Sequence, residues 1–418
     1  MNIQSKIERT EETEKTMKTY SIDFTKEDFM RRAKKLADLL LKKDSSFKLA
    51  LIIDSASLYY LTGTMQEGIA LLFADGSLKY FVRRSYERAL DESPLEDAIQ
   101  PMTSYRDLVP YLPENLEAVY VEKEVLPLVS FERLQKYLPA KKWLALDSFM
   151  ARLRSVKDAK EIALIEKAGS LHNQLLTKEV PRLLKEGMSE AELGMAIFQK
   201  AVEIGHYGMM KMQMFQVDFL AGQIAFGENA LYPMRFDGPG GMKGLHPATP
   251  ILGSDERKLQ KGDLVFVDLG FCYKGYLSDK TQMYFFGDAI PEKVKAVHEA
   301  CRHVLDEAVK EMKAGNTTKA VWEKAEAARG PLLQEHFMGF GKGQVSFLGH
   351  GLGLKIDEAP VIMEKGESIL EEGMVIALEP KSGIAGHGLV GVEESYVIEK
   401  NGARCLTGGD SEIILVEE

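Results

Sequence analysis

Apolar residues recur along this chain with two different periods, and the changes of period divide it into segments. Between residues 24 and 42 the positions Phe29, Ala33, Leu36 and Leu40 fall three or four apart, with Leu39 beside them, which is one face of a helix. Residues 49–53 and 70–73 are short apolar runs that read as strands, and Asp75-Gly76 is a turn signal after them. This alternation predicts an α/β domain to about residue 148. A boundary is expected between Asp147 and Lys160, where a helical pattern over 161–168 begins. Further on, 264–269, 276–286, 374–378 and 389–398 are strand candidates rich in β-branched and aromatic residues. The expected division is an N-terminal extension over 1–20, a domain over 21–150 and a second domain over 151–418.

Four of those β-rich frames carry a carboxylate: Asp268 in VFVDLG, Asp279 in YLSDKT, Glu379 in IALEP and Glu393 in VGVEES. A carboxylate set among apolar strand residues is costly to bury unless a cation or partner receives it. Tyr273-Lys274-Gly275 supplies a turn between the first two frames, and positions 268 and 279 are centred on it. A symmetric hairpin would set Asp268 directly opposite Asp279, Cβ atoms about 5 Å apart, where like charges need something positive between them. The alternative is a slipped register with one Asp capping the turn. Glu379 and Glu393 repeat the pattern about Gly386, in a second predicted hairpin. His350 lies between the two hairpins in sequence, framed by Gly349, Gly351 and Gly353, which permit close backbone approach. Oxygen-rich ligands with one imidazole suit Mn or Co, and also Fe or Zn, better than copper. Two divalent ions roughly 3.5–4 Å apart would clamp a carbonyl and hold a hydroxide between them.

The order Asp, Asp, His, Glu, Glu resembles the pita-bread metallopeptidases: methionine aminopeptidase, aminopeptidase P, prolidase and the metal-free creatinase. GYLSDKT, GHGLGL and ALEP are most similar to the Xaa-Pro peptidase branch, and Tyr59-Tyr60-Leu61-Thr62-Gly63 and Phe81-Val82-Arg83-Arg84 resemble the creatinase-type N-terminal domain. The resemblance implies a creatinase-like α/β domain followed by an α+β catalytic domain with a pseudo-two-fold antiparallel sheet. It implies that Asp268 chelates one ion, that His350 and Glu379 bind the other, and that Asp279 and Glu393 bridge them. Glu379 would also relay a proton to the leaving amine, and Glu394 would support the site from behind. A homodimer in which the N-terminal domain covers the neighbouring active site is implied as well.

The chain departs from that family in what would hold substrate. A histidine expected seven residues after His350 is replaced by Asp357, none follows the Gly227-Glu228-Asn229 segment at the usual place, and Gly391 stands where an arginine is usual. Candidate substitutes are His387, in the loop joining the glutamate strands, and His246, Arg235 and Lys381, each of which also reads as an ordinary loop residue; Asp357, in the histidine's place, is a weaker candidate for a polar substrate contact. The methionine run 209–214 is core packing or the wall of an adaptable apolar pocket. His298 and His303 mimic a zinc-protease helix but lie five apart and cannot share a face, which predicts a solvated helix.

Composition narrows the partners. A net charge of -10 disfavours nucleic acid and anionic membranes, and no apolar stretch is long enough to span a bilayer. The three cysteines, Cys272, Cys301 and Cys405, form no disulfide framework. The first 20 residues lack a signal-peptide core, so a cytoplasmic location is expected. No phosphate-binding loop, dinucleotide fingerprint or serine-hydrolase elbow is present. The expected function is metal-dependent hydrolysis by an aminopeptidase or dipeptidase of Xaa-Pro type acting on short peptides. The alternatives are a non-peptide amide hydrolase or lyase on the same scaffold, and a non-catalytic homologue acting as a binding module.

Overall fold

The computed structural model describes residues 23–417 apart from 209, 215–216, 218–219 and 250–252, so the expected extension over 1–20 and Met209 lie outside the described residues. The chain forms two compact units that divide between Leu153 and Arg154. In the first, α1 (Lys26–Lys43) starts at Thr25, whose side chain and that of Asp28 cap each other's backbone N–H groups. It buries Phe29, Ala33, Leu36 and Leu40. The strands β1 (Leu49–Ile52), β2 (Gly68–Phe73), β3 (Leu78–Val82), β4 (Ile99–Pro101), β5 (Ala118–Val121) and β6 (Lys142–Ala145) make one sheet in the order β4-β3-β2-β1-β5-β6. Leu49, Leu51, Ile69, Leu71, Val119 and Val121 pack its core.

The second unit carries the acidic frames. Its helix α2 (Ala159–Gln174) is capped by Asp158, and α3 (Glu190–Ile204) by Ser189. The strands β7 (Gly222–Phe226), β8 (Asp263–Tyr273) and β9 (Tyr276–Phe286) form an antiparallel meander, with β17 (Ile414–Val416) added in parallel to β9. Two helices, α4 (Glu292–Val309) and α5 (Thr318–Ala328), precede β10 (Phe347–Gly351), β11 (Glu358–Met363) and β12 (Val375–Leu378). The short ladder β13 (Lys381–Ile384) with β14 (Gly388–Gly391) comes next, then β15 (Glu394–Glu399) and β16 (Gly402–Cys405). The second sheet runs β11-β10-β12-β15-β16. The two sheets meet where the Thr281 N–H donates to the Glu393 carbonyl at 3.3 Å.

Period-two alternation decides what each strand offers to each side. On β8, Val265, Val267, Leu269 and Phe271 face the core formed with α2 and α3, whereas Phe266 joins the core formed with α4 and α5. Asp268 shares the parity of Phe266, and Asp279 that of Met283 and Phe285, so both acids leave the strands on the same side. The helix α4 corrects the expectation of a solvated helix. Val294, Val297, His298, Cys301, Val304 and Leu305 are buried along one stripe, and His298 Nε2 bonds the Ser411 carbonyl at 2.7 Å. His303 is exposed, so the two histidines do lie on different faces. Among the described residues no helix is long and apolar enough to cross a membrane.

Candidate metal centre

The β8–β9 hairpin turns on Lys274-Gly275, both with positive φ (49° and 86°), a two-residue turn whose twist matches that of the strands. This corrects the expected register. The turn centre lies between Lys274 and Gly275, one position further on, so Asp268 faces Thr281 and Asp279 faces Gly270. The acids are diagonal neighbours, not a direct pair. A slip of two residues keeps both on the same face, and the cluster survives for that reason.

The glutamate hairpin does close about Gly386. Leu378 pairs with Glu394 in one ladder and Lys381 with Gly391 in the next, and both registers share that centre. Pro380 lacks an N–H and interrupts the ladder between β12 and β13. Its carbonyl instead accepts from Val392 at 3.1 Å. Glu379 and Glu393 sit at this break, where their side chains turn inward. Strand β10 is held tightly between β11 and β12: a Cβ at Gly349 would lie 2.1 Å from the Ala377 carbonyl oxygen, and one at Gly351 2.3 Å from that of Ala359. Only glycines allow His350 this position.

The five residues converge. Asp279, His350 and Glu393 offer donor atoms all within 4.8 Å of one another, and Asp268, Glu379 and Glu393 do the same. His350 Nδ1 lies 3.1 Å from the Gly351 carbonyl, which accepts its proton and leaves the Nε2 lone pair for the cluster. From Nε2 the distances are 3.9 Å to Asp279, 3.7 Å to Glu379 and 3.8 Å to Glu393. Donor atoms so spaced can close on one ion at about 2.0–2.2 Å per bond, so the imidazole–carboxylate set fits a divalent cation.

Burial and mutual repulsion show in the acidities. Burial pushes Asp268 up to about 6, against the pull of Lys381. Burial, with Glu393, Asp268 and Glu379 nearby, holds Asp279 well above the ordinary aspartate range. Burial also raises Glu379, against Lys381 and His350. For His350, burial opposes charging, but Asp357, Glu379 and Glu393 outweigh it and raise its pKa. These are acids waiting for a cation.

Behind the site, alternation turns the next residues the other way. Lys280 and Glu394, adjacent to Asp279 and Glu393, form a fully buried ion pair, and Thr407 also donates to Glu394. Ser395 Oγ accepts from the Asp279 N–H at 3.0 Å and donates to its carbonyl at 2.8 Å. Thr281 donates to Glu393 Oε2 at 3.0 Å.

The substitutes expected for the substrate-holding groups divide. Asp357 lies beside the cluster, Oδ1 3.6 Å from His350 Nε2, in a left-handed backbone conformation with φ of 65°. His387 does not reach it. It sits in the turn at the far end of the β13–β14 hairpin, its N–H bonded to the Ile384 carbonyl, next to Gly227. The hairpin tip projects beyond the sheet break that holds both glutamates. His246 is exposed, its ring accepting from Ala248 N–H, and Arg235 is exposed too. Lys381 lies at the centre. Its side chain is 0% exposed, and Nζ bonds Asp268 at 3.0 Å and Glu379 and Glu393 at 2.8 Å each.

A narrow cavity opens onto the cluster, walled by Met210, Met212, Phe236, Leu269 and Ile356. Sequence reasoning missed Gln223. It stands opposite Asp268 on β7, it is buried, and neither side-chain amide atom has a hydrogen-bond partner among the described residues. An amide flanked by apolar strand residues gives no signal until the pairing of β7 with β8 is known. A larger groove of about 960 Å³, lined by Trp322, Arg329, Gln344 and Lys365, contains none of the clustered residues.

Residues 163–400 match Metallopeptidase family M24, and residues 32–156 match the Creatinase/Prolidase N-terminal domain. A Xaa-Pro dipeptidase of Pyrococcus horikoshii is 28% identical over 387 residues, covering 92% of this chain and 98% of the relative. A Xaa-Pro dipeptidase of Pyrococcus furiosus is 28% identical over 375 residues, covering 89% and 96%. Among solved structures, the prolidase from Pyrococcus horikoshii superposes with a TM-score of 0.74 at 27% identity, covering 92% of this chain and 100% of that one. The architecture expected from the sequence, a creatinase-type domain before a pita-bread domain, is that of these relatives.

Proposed function

The chain belongs to metallopeptidase family M24, and from that premise we propose that it is a metal-dependent Xaa-Pro peptidase, releasing the residue that precedes proline at the N-terminus of short peptides. The observation that carries this reading is the convergence of three buried carboxylates and the half-buried Asp268 with the lone-pair side of His350, in a chain aligned nearly end to end with Xaa-Pro dipeptidases. A non-peptide amide hydrolase and a binding module are not favoured by those relatives.

Asp279, His350 and Glu393 would hold a divalent ion, which when bound supplies Lewis acidity for the scissile carbonyl and lowers the pKa of water toward neutrality. Mn, Co, Fe and Zn all suit these donors, with Mn or Co our choice for the first assay. Glu379 directs one carboxylate oxygen toward His350 and the other to Lys381. That position lets it exchange a proton with a substrate bound in the cavity. The unpaired Gln223 amide would bond the peptide backbone or its terminus, because a buried amide without a partner is costly until a ligand supplies one. Met210, Met212 and Phe236 bound an apolar space for the side chains. Asp357 would help orient His350. A homodimer belongs to this reading on the ground of the family resemblance, and a cytoplasmic location agrees with three unpaired cysteines. Turnover of Xaa-Pro dipeptides measured against N-acyl amino acids tests the substrate class: preference for the acyl compounds would overturn it.

The raised acids also give the metal a pH signature. In chelated protein Asp268, at about 6, and Asp279 bind protons that they release on unfolding above their ordinary pKa values. Native pKa values above the unfolded ones mean that the chelated chain loses stability as pH rises from about 4 through about 6. An ion held by Asp279 requires that carboxylate ionised, so its stabilisation rises with pH over that range. The melting-temperature gap between Mn-loaded and chelated protein is expected to be small at about pH 5 and to widen through about pH 6. A gap that stays constant across that range would show that Asp279 is not a ligand.

A further inference from the structure

Two three-donor groups exist in the cluster, and they are not equivalent. Of Asp279, His350 and Glu393, it is Glu393 that the Lys381 ammonium bonds, through Oε2. The Asp268, Glu379 and Glu393 group already surrounds an ammonium: Lys381 Nζ lies 3.0, 2.8 and 2.8 Å from one oxygen of each. An ammonium has three N–H bonds, and here each has a carboxylate. The side chain is wholly buried.

Its route to this place is built into the hairpin. Lys381 opens β13 and pairs across the ladder with Gly391. Gly391 has φ of 143°, and a Cβ there would lie 2.5 Å from Lys381 Cα and 2.8 Å from its Cγ. The lysine stem therefore occupies the space a side chain at 391 would fill. The arginine expected at 391 is missing and a cation enters from the opposite strand, so the two departures form one exchange.

The carboxylates divide their oxygens accordingly. Glu379 and Glu393 each give Oε2 to Lys381 and direct Oε1 toward His350 Nε2, at 3.7 and 3.8 Å. An ion among Asp268, Glu379 and Glu393 would need the same Oε2 atoms at about 2.0–2.2 Å. That position coincides with the ammonium, and two cations cannot share it.

We propose that Lys381 is the resident cation of the Asp268, Glu379 and Glu393 subsite, and that this peptidase works with one divalent ion, held by Asp279, His350 and Glu393, instead of two. The proposal rests on the reading of the cluster as a metal centre. It makes Lys381 a positioning residue: with its three N–H groups engaged, it fixes Glu379 and Glu393 and has no donor left for substrate.

The test counts ions in the full-length protein. Chelated protein is reloaded with excess Mn(II), freed of unbound metal and analysed for manganese per chain by mass spectrometry of the element. Its electron paramagnetic resonance spectrum is recorded in parallel. Wild type is expected to hold one Mn(II) with the six-line spectrum of an isolated ion. In Lys381→Gly and Lys381→Met the three carboxylates lose their cation, and the content is expected to double to two ions with an exchange-coupled spectrum. Two coupled ions in wild type would overturn the lysine proposal and leave the metal centre standing. No ion in wild type would overturn both. One ion in either folded variant, with folding checked by its melting curve, would also overturn the proposal, and the wild-type count decides even if neither variant folds.

Discussion

Asp279→Asn is expected to abolish ion binding and turnover together while leaving the fold intact. Asp279 is buried, its backbone is fixed by Ser395 on both sides, and it is one donor of the group it forms with His350 and Glu393. The amide keeps its size and removes its charge, so the ion loses a ligand in a site that water enters poorly. Turnover should fall by at least about 10³-fold, roughly 4 kcal/mol of lost transition-state stabilisation. The chelated variant should melt no lower than chelated wild type, because burial, with Glu393, Asp268 and Glu379 nearby, raises the cost of ionising Asp279 in the absence of an ion. Elemental analysis, a melting curve and a rate measurement on one preparation separate this from misfolding. A variant that keeps its ion and its rate would remove Asp279 from the ligand set.

Glu379→Gln is expected to divide the two properties that Asp279→Asn loses together. The grouping of Asp279, His350 and Glu393 does not include Glu379, so the ion should remain. A glutamine at 379 still reaches Lys381 and the cavity but cannot take up and release a proton. General acid–base groups contribute about 10²–10⁴-fold, and a kcat loss of that size with KM changed little is the expected result. Loss of the ion along with the rate would make Glu379 a ligand first, and an unchanged rate would end the proton-transfer role.

The sequence made the acids legible and left their surroundings hidden. Asp268, Asp279, Glu379 and Glu393 stood out because a carboxylate among strand-forming residues has few bland explanations. The glutamate register was correct, because Gly386 is the true centre of a long hairpin. The aspartate register was off by two: Lys274 has a left-handed backbone in the turn, which its residue type does not announce. Parity protected the conclusion, since an error of one would have put the two aspartates on opposite faces. His387 misled because nearness in sequence to Glu379 and Glu393 is not nearness in space along an extended hairpin. Lys381 and Gly391 are ten positions apart, and only the ladder that pairs them shows that a missing arginine and a lysine after Glu379-Pro380 belong together. Gln223 has the same character, being defined by its partner across β7 and β8.

The most direct test of the account follows metal content and Xaa-Pro dipeptide turnover in one sample as a chelator removes the ion and Mn or Co is returned. Turnover is expected to fall with the bound ion, to vanish when the ion is gone, and to return in proportion as it is restored. Undiminished turnover in protein stripped of divalent ions, or protein that takes up the ion and still cleaves no Xaa-Pro bond, would contradict it.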